Sequence, residues 1–192
     1  MRPCPLFLTL AILLLPLPGL AQSQRHATEI EIERMVLEMR QGIPKLMQSG
    51  YYSDRRSPEE YQQQAAFVET WSEIDGAIAP FLGDWSAMEE NLLIYPLPAP
   101  GEVCIIDSRL DESDFYQGRV VNGNLYTDTN LIFVLDSGFL VNISVYDDQA
   151  YHYEYANPRP VENPTTSTYY REYHPQIVVQ FQQAGCLVKV PE

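Results

Sequence analysis

Basic residues are scarce in this chain of 192 residues: 12 lysines and arginines stand against 26 aspartates and glutamates, with only three histidines. A field of that sign makes nucleic acid and anionic membrane surfaces poor partners, so no nucleic-acid partner is expected. Catalytic signatures are missing as well. The sequence holds no Gly-x-Ser-x-Gly, no His-Glu-x-x-His and no glycine-rich phosphate loop, so no motif points to an enzyme class. Beyond residue 20 there is no apolar run approaching the roughly 20 residues that a bilayer-spanning helix needs.

The single long apolar run, Leu6 to Leu17, follows Arg2 and precedes Gly19-Leu20-Ala21. That is the layout of a secretory signal cut before Gln22, so residues 1 to 21 are read as a signal peptide. The mature protein is then expected to be secreted or periplasmic, without a membrane anchor after cleavage. Cleavage removes Arg2 and no acid, moving the formal net charge from -14 to -15. Such a charge keeps a secreted protein soluble, and its sharper alternative is a cationic ligand or partner. A hydrophobic content of 45% excludes a disordered composition.

Cys104 and Cys186 are the two cysteines left after cleavage, and in an oxidising compartment an even count of two allows one bridge. Closing a loop of about 80 residues would contribute about 4 to 5 kcal/mol in the chain-entropy model. Two buried thiols or a pair of metal ligands are the alternatives. The bridge would tie an early strand to the last one.

The hydrophobic period changes once along the chain. Thr28 with Glu31 reads as a capping box, and Ile32, Met35, Val36, Met39, Ile43 and Leu46 follow on one helical face. Gly42 and Pro44 predict a bend or a restart, because proline cannot donate the interior hydrogen bond. After a linker from Gly50 to Arg56, Ser57-Pro58-Glu59-Glu60 supplies an N-cap, a first-turn proline and a glutamate at the third helical position. Tyr61, Ala65, Val68, Trp71, Ile74 and Ile78 then keep helical spacing to Pro80. Residues 28 to 79 are expected as two antiparallel helices within a helical segment, 22 to 80.

From 81 to 192 short β-branched and aromatic segments alternate with proline, glycine and asparagine. Strands are expected near 91 to 96, 102 to 107, 114 to 121, 124 to 128, 130 to 135, 138 to 146, 149 to 155, 167 to 173, 176 to 182 and 186 to 190. Asn122-Gly123 and Asp136-Ser137-Gly138 tolerate the positive φ that tight hairpins require. No crossover-length helix separates these segments, so the sheet should be antiparallel. The fold class expected is α+β: an N-terminal helical hairpin followed by an antiparallel β-barrel or β-sandwich of about eight to ten strands.

Gly83-Asp84-Trp85, just before the first expected strand, resembles the Gly-x-Trp signature that opens the barrel of lipocalin-like proteins. That resemblance implies a barrel holding a small hydrophobic ligand. A tryptophan plugging the end of a small β-domain is the structural alternative.

Residues 149 to 174 crowd tyrosines and two of the three histidines around a proline-rich middle. By strand parity Tyr151, Tyr153 and Tyr155 share a face, as do Tyr169, Arg171 and Tyr173. Pairing the two segments would set five tyrosines around Arg171, either as simple packing or as a stacking platform for a sugar, aromatic ligand or peptide. The opposite face would gather His152, Glu154, Glu172 and His174, a ligand set that zinc accepts when convergent. Asn142-Ile143-Ser144 matches a glycosylation sequon within an expected strand.

The preferred reading is a non-catalytic binding protein for a small or saccharide-like ligand, using the barrel interior or the tyrosine hairpin, with no cofactor. A structural or assembly protein contacting a protein partner through an apolar stripe at Met35, Met39 and Ile43 is the alternative. A His/Glu metal-dependent hydrolase is a third.

Overall fold

The computed structural model describes residues 25 to 189, so the signal segment at 1 to 21 lies outside the described residues. The first helix, α1, runs over Glu29–Ser49. Its capping box is complete, with the Thr28 side chain accepting from the Glu31 N–H and the Glu31 carboxylate accepting from the Thr28 N–H. Of the bend or restart expected at Gly42 and Pro44, the restart does not occur: one helix passes through Pro44 to Gly50, whose φ of 74° closes it. The apolar face continues beyond the proline, with Ile43 and Leu46 packed against the same core as Ile32, Met35 and Met39. That burial offsets the one hydrogen bond proline cannot donate.

The second helix, α2, spans Pro58–Ile74 and starts on the expected Ser57–Glu60 capping box. It stops short of residue 79 because Asp75 turns its carboxylate to other donors, the N–H groups of Ala77 and Gly101 at 3.1 and 2.6 Å. A 3-10 turn at Ala79–Phe81 then leads into the sheet.

Eight antiparallel strands follow and close into a barrel: β1 Gly83–Ser86, β2 Glu90–Pro96, β3 Glu102–Arg109, β4 Glu112–Val121, β5 Asn124–Thr127, β6 Ile132–Asp136, β7 Phe139–Tyr146 and β8 Gln149–Arg159. Each strand pairs with its sequence neighbours, and β1 pairs with β8 to complete the circle. The expected tight turns are present: Asn122-Gly123 and Ser137-Gly138 are two-residue connections with positive φ at both positions.

The Gly83-Asp84-Trp85 triplet lies within β1 rather than ahead of it. Gly83 holds a φ of 139°, a conformation that favours glycine, and a Cβ there would also crowd Pro158 Cβ at 3.0 Å and Gln64 Nε2 of α2 at 2.7 Å. Trp85 turns inward, donating its indole N–H to the Phe81 carbonyl at 2.8 Å.

The segment from residue 167 onward corrects the sequence reading. Residues 167 to 173 and 176 to 182 are helices, α3 Thr168–Tyr173 and α4 Pro175–Ala184, and no strand forms over 186 to 189. Asn163 begins a turn, its side chain accepting from the Thr165 N–H at 3.0 Å. Pro175 occupies the first turn of α4, and Gly185 ends it with a φ of 76°. Of the apolar positions that read as strand, Ile177 and Phe181 are four residues apart on one flank of α4, and Tyr170 of α3 packs into the same core. With β1 bonded to β8 the sheet has no open edge left for another strand.

Three cores result. Inside the barrel pack Trp85, Leu92, Ile94, Val103, Ile105, Tyr116, Leu125, Phe133, Leu140 and Tyr155, closed at one end by Trp71, Ile78 and Phe81. The outward side chains Ile132, Val141, Ile143 and Val145 bury the apolar face of α1. On the opposite wall Leu93, Tyr95, Cys104 and Ile106 bury α3 and α4. Cys104 is disulfide-bonded to Cys186, 82 residues on, and therefore fastens β3 to the segment behind α4, not to a last strand.

Candidate functional site

The tyrosine hairpin does not form, because its second half is α3. Parity along β8 nonetheless holds, since Tyr155 pairs with inward Leu140 and His152 with outward Ile143. Tyr155 is wholly buried in the barrel, Tyr153 packs edge-on against it at 5.3 Å, and Tyr151 is exposed. Tyr169, Arg171 and Tyr173 lie exposed on α3. The six residues expected on one platform are thus divided between the barrel lining and a helix packed on its outer wall.

The metal set is divided the same way. His152 and Glu154 face outward on β8, 2.5 Å apart, and the carboxylate holds the imidazolium above its ordinary pKa against the opposing effect of burial. Glu172 lies on α3, and His174 caps it with Nε2 3.0 Å from the Tyr169 hydroxyl. Among the described residues no three His, Cys, Asp or Glu side chains group as a metal site. The sequon residue Asn142 has its side-chain oxygen buried.

The barrel interior carries polar groups as well as the apolar core. Tyr155 donates to Glu90 at 2.9 Å, Arg109 Nε lies 3.3 Å from Glu90, and Arg109 and Tyr116 each reach Asp107 at 3.4 Å. Burial raises the Asp107 carboxyl to about 6 despite the arginine. These groups bond to one another and sit among packed side chains, so they read as a structural network, although Asp107 Oδ1 is buried without a hydrogen-bond partner.

The cleft with site-like chemistry lies outside the barrel, where α3 and the chain after β8 lean over β1, β2 and β3. It has a volume of about 310 Å³ and is lined by Asp84, Glu89, Glu90, Asn91, Ser108, Leu110, Glu162, Tyr169 and Tyr170, with Ala87 and Leu93 at its base. Strand pairing sets its floor: Asp84 stands beside Leu93, and Asn91 beside Ser108. The Tyr170 hydroxyl, 3.1 Å from the Ser108 hydroxyl, pins α3 to β3, and the Tyr169 hydroxyl donates to the Leu110 carbonyl at 3.3 Å.

Asp84 is the unusual group. One of its carboxylate oxygens is buried without a hydrogen-bond partner. Burial raises its carboxyl to about 7, Arg159 on the paired β8 only partly opposing this and Glu162 adding to it. An orphaned buried carboxylate oxygen is costly, and the neutral acid that burial favours lessens that cost at Asp84 as at Asp107.

A second pocket of about 410 Å³ lies between α2 and the plugged barrel end, among Tyr61, Val68, Leu82, Trp85 and Pro158. Its wall is mainly apolar, with Arg56 held over the Tyr61 ring at 5.0 Å. No family model, no curated protein and no solved structure matches the chain.

Sequence reasoning found Tyr169 as a candidate and missed Asp84, Glu90, Glu162 and Ser108. The middle residue of the Gly-Asp-Trp triplet was the available signal: with Trp85 inward, parity turns the Asp84 carboxylate to the outer wall, where α3 covers it.

Proposed function

We propose that the mature protein is a secreted or periplasmic, non-catalytic binding protein, and that its ligand site is the cleft between α3 and strands β1 to β3. The observation that carries this reading is a cavity of about 310 Å³ in which Asp84, Ser108, Tyr169 and Tyr170 stand over the apolar base of Ala87 and Leu93. Pockets with an apolar base and a few fixed polar groups are the usual form of small-molecule sites. The barrel interior, where the lipocalin resemblance would place a ligand, is taken up by Leu92, Ile105, Phe133, Leu140 and Tyr155. Extracytoplasmic location rests on the signal-like N-terminus and agrees with the Cys104–Cys186 disulfide.

Assembly through α1 is the weaker reading. Met35 and Met39 of the supposed docking stripe are 3% and 0% exposed, spent on the barrel wall.

Native mass spectrometry of residues 22 to 192, exported to an oxidising compartment and purified without chelator, tests the proposal. The expected spectrum carries a retained small-molecule mass that disappears in Asn91→Trp, an exposed cleft position. A retained mass that persists in Asn91→Trp would place the ligand elsewhere and sink the cleft as the site.

A further inference from the structure

We propose that the pocket between α2 and the plugged barrel end is a second binding site, one that takes a compact, uncharged aromatic molecule. It shares no lining residue with the cleft and does not rest on the reading above. Its volume of about 410 Å³ lies within the range of small-molecule sites. Leu82 and Trp85, 0% and 5% exposed, make its floor, and Tyr61, 57% exposed, stands at its rim, with Val68, Pro80 and Pro158 completing the wall. Three side-chain bonds fix that wall before any ligand arrives. Gln64 Nε2 donates to the Leu82 carbonyl at 2.7 Å, the Trp85 indole N–H to the Phe81 carbonyl at 2.8 Å, and Arg56 Nη1 to the Pro158 carbonyl at 2.9 Å. A wall already in place spares the ordering cost that binding otherwise carries.

The charges around the pocket are already matched. Arg56 is the basic group of the wall, and Asp54 accepts from its Nε and Nη2 at 2.9 and 2.7 Å, so no uncompensated cation is left for an anionic ligand. The formal net charge of -14 repels anions further. Glu69 is the acid among the lining residues and lies exposed on α2, so a cation on the floor at Leu82 and Trp85 would be desolvated without a buried counter-charge. What remains to select a ligand is shape and ring surface. The Tyr61 ring carries the Arg56 guanidinium 5.0 Å from its centroid, and the Trp85 indole and two proline rings line the same space. An aromatic guest gains from edge and offset contacts with such rings beyond the area it buries.

The test is a neutral-pH NMR titration of the mature, disulfide-intact chain with indole, read at the backbone amides and the tryptophan side-chain N–H groups. Tryptamine and indole-3-acetate, which carry the same ring with opposite charges, are the matched controls. Indole is expected to give saturable shifts at Gln64, Val68, Leu82 and Trp85, and each charged control to bind at least fivefold more weakly. Ala65→Phe, at an exposed position of α2 in the pocket wall, should weaken indole binding at least tenfold and leave the denaturation midpoint in place. Tyr61→Ala, at the exposed rim, should weaken it several-fold. Binding of indole-3-acetate as tight as that of indole would overturn the uncharged assignment in favour of an anion at Arg56, and equally tight tryptamine would overturn it in favour of a cation. No saturation up to the solubility limit of indole, shifts confined to other residues, or binding unchanged in Ala65→Phe would overturn the pocket as a site. Shifts at Ser108 and Tyr170 report on the cleft, so the two sites are scored separately in one titration.

Discussion

Asp84 sits next to a base and is still driven towards its neutral form. Arg159 lies on the adjacent strand, yet the desolvation of a carboxylate under α3 outweighs that attraction and raises its pKa from 3.8 to about 7. The folded chain therefore holds a proton there that the unfolded chain releases near its ordinary carboxylate value. The resulting stabilisation is fully present below pH about 4 and is lost as pH rises through about 7, and Asp107, raised to about 6, acts in the same sense. We expect denaturation midpoints to fall between about pH 4 and about pH 7. Asp84→Asn should flatten that dependence and stabilise the protein at higher pH, by at most about 4 kcal/mol. Equal slopes for the two proteins in urea titrations would refute the assignment. The aspartate itself was plain in the sequence. Its burial was not, because what covers it is a helix some 85 residues further along, whose docking depends on the whole barrel.

At the scale of elements, what was legible followed from local chemistry. Capping boxes at Thr28 and Ser57, and the Asn122-Gly123 and Ser137-Gly138 turns, are short-range devices that act as their sequences suggest. The error at 167 to 184 arose because Tyr169, Tyr170, Tyr173 and the valines of α4 are residues of high strand preference, while preference is decided by the partner surface. Here the sheet was already closed, and the outward wall at Leu93, Tyr95 and Ile106 offered a surface that two short helices cover. Strand β4 carries a less visible constraint at Gly118. A methyl group there would come within 2.8 Å of Leu125 Cδ1 and 3.0 Å of the Tyr126 carbonyl. Gly118→Ala should cost about 1 to 3 kcal/mol, measured as a lowered denaturation midpoint, while the same change at solvent-facing Gly42, with nothing within 4 Å, should be neutral or mildly stabilising.

Across the whole molecule the chain is clad unevenly. α1 covers one wall by packing and by ion pairs such as Arg40 with Asp136 at 2.5 Å. α3 and α4 cover the other wall, and there the cladding is also held covalently at Cys104–Cys186. Replacing both cysteines with serine, or reducing the bond, is expected to lower stability by about 2 to 5 kcal/mol. It should also loosen α4 before α1, which amide exchange resolved by residue would detect; uniform loosening of both helices would contradict this. The bridge was legible from cysteine count alone, but its far end was assigned to a strand because sequence separation says nothing of what element receives it.

Seven of the eight strand pairings join neighbours along the chain through turns that form locally. The eighth, between β1 and β8, is held at two registered positions, Asp84 with Arg159 and Ser86 with Ala156, around an irregularity. It is the long-range step in an otherwise local topology, and long-range pairing is where loop-closure entropy slows folding. The cleft spans that same join, with its floor before it in the chain and its tyrosine wall after it. The cleft is therefore complete only in molecules in which the last circle has been drawn, so a ligand of the site proposed above would meet only chains that have finished folding.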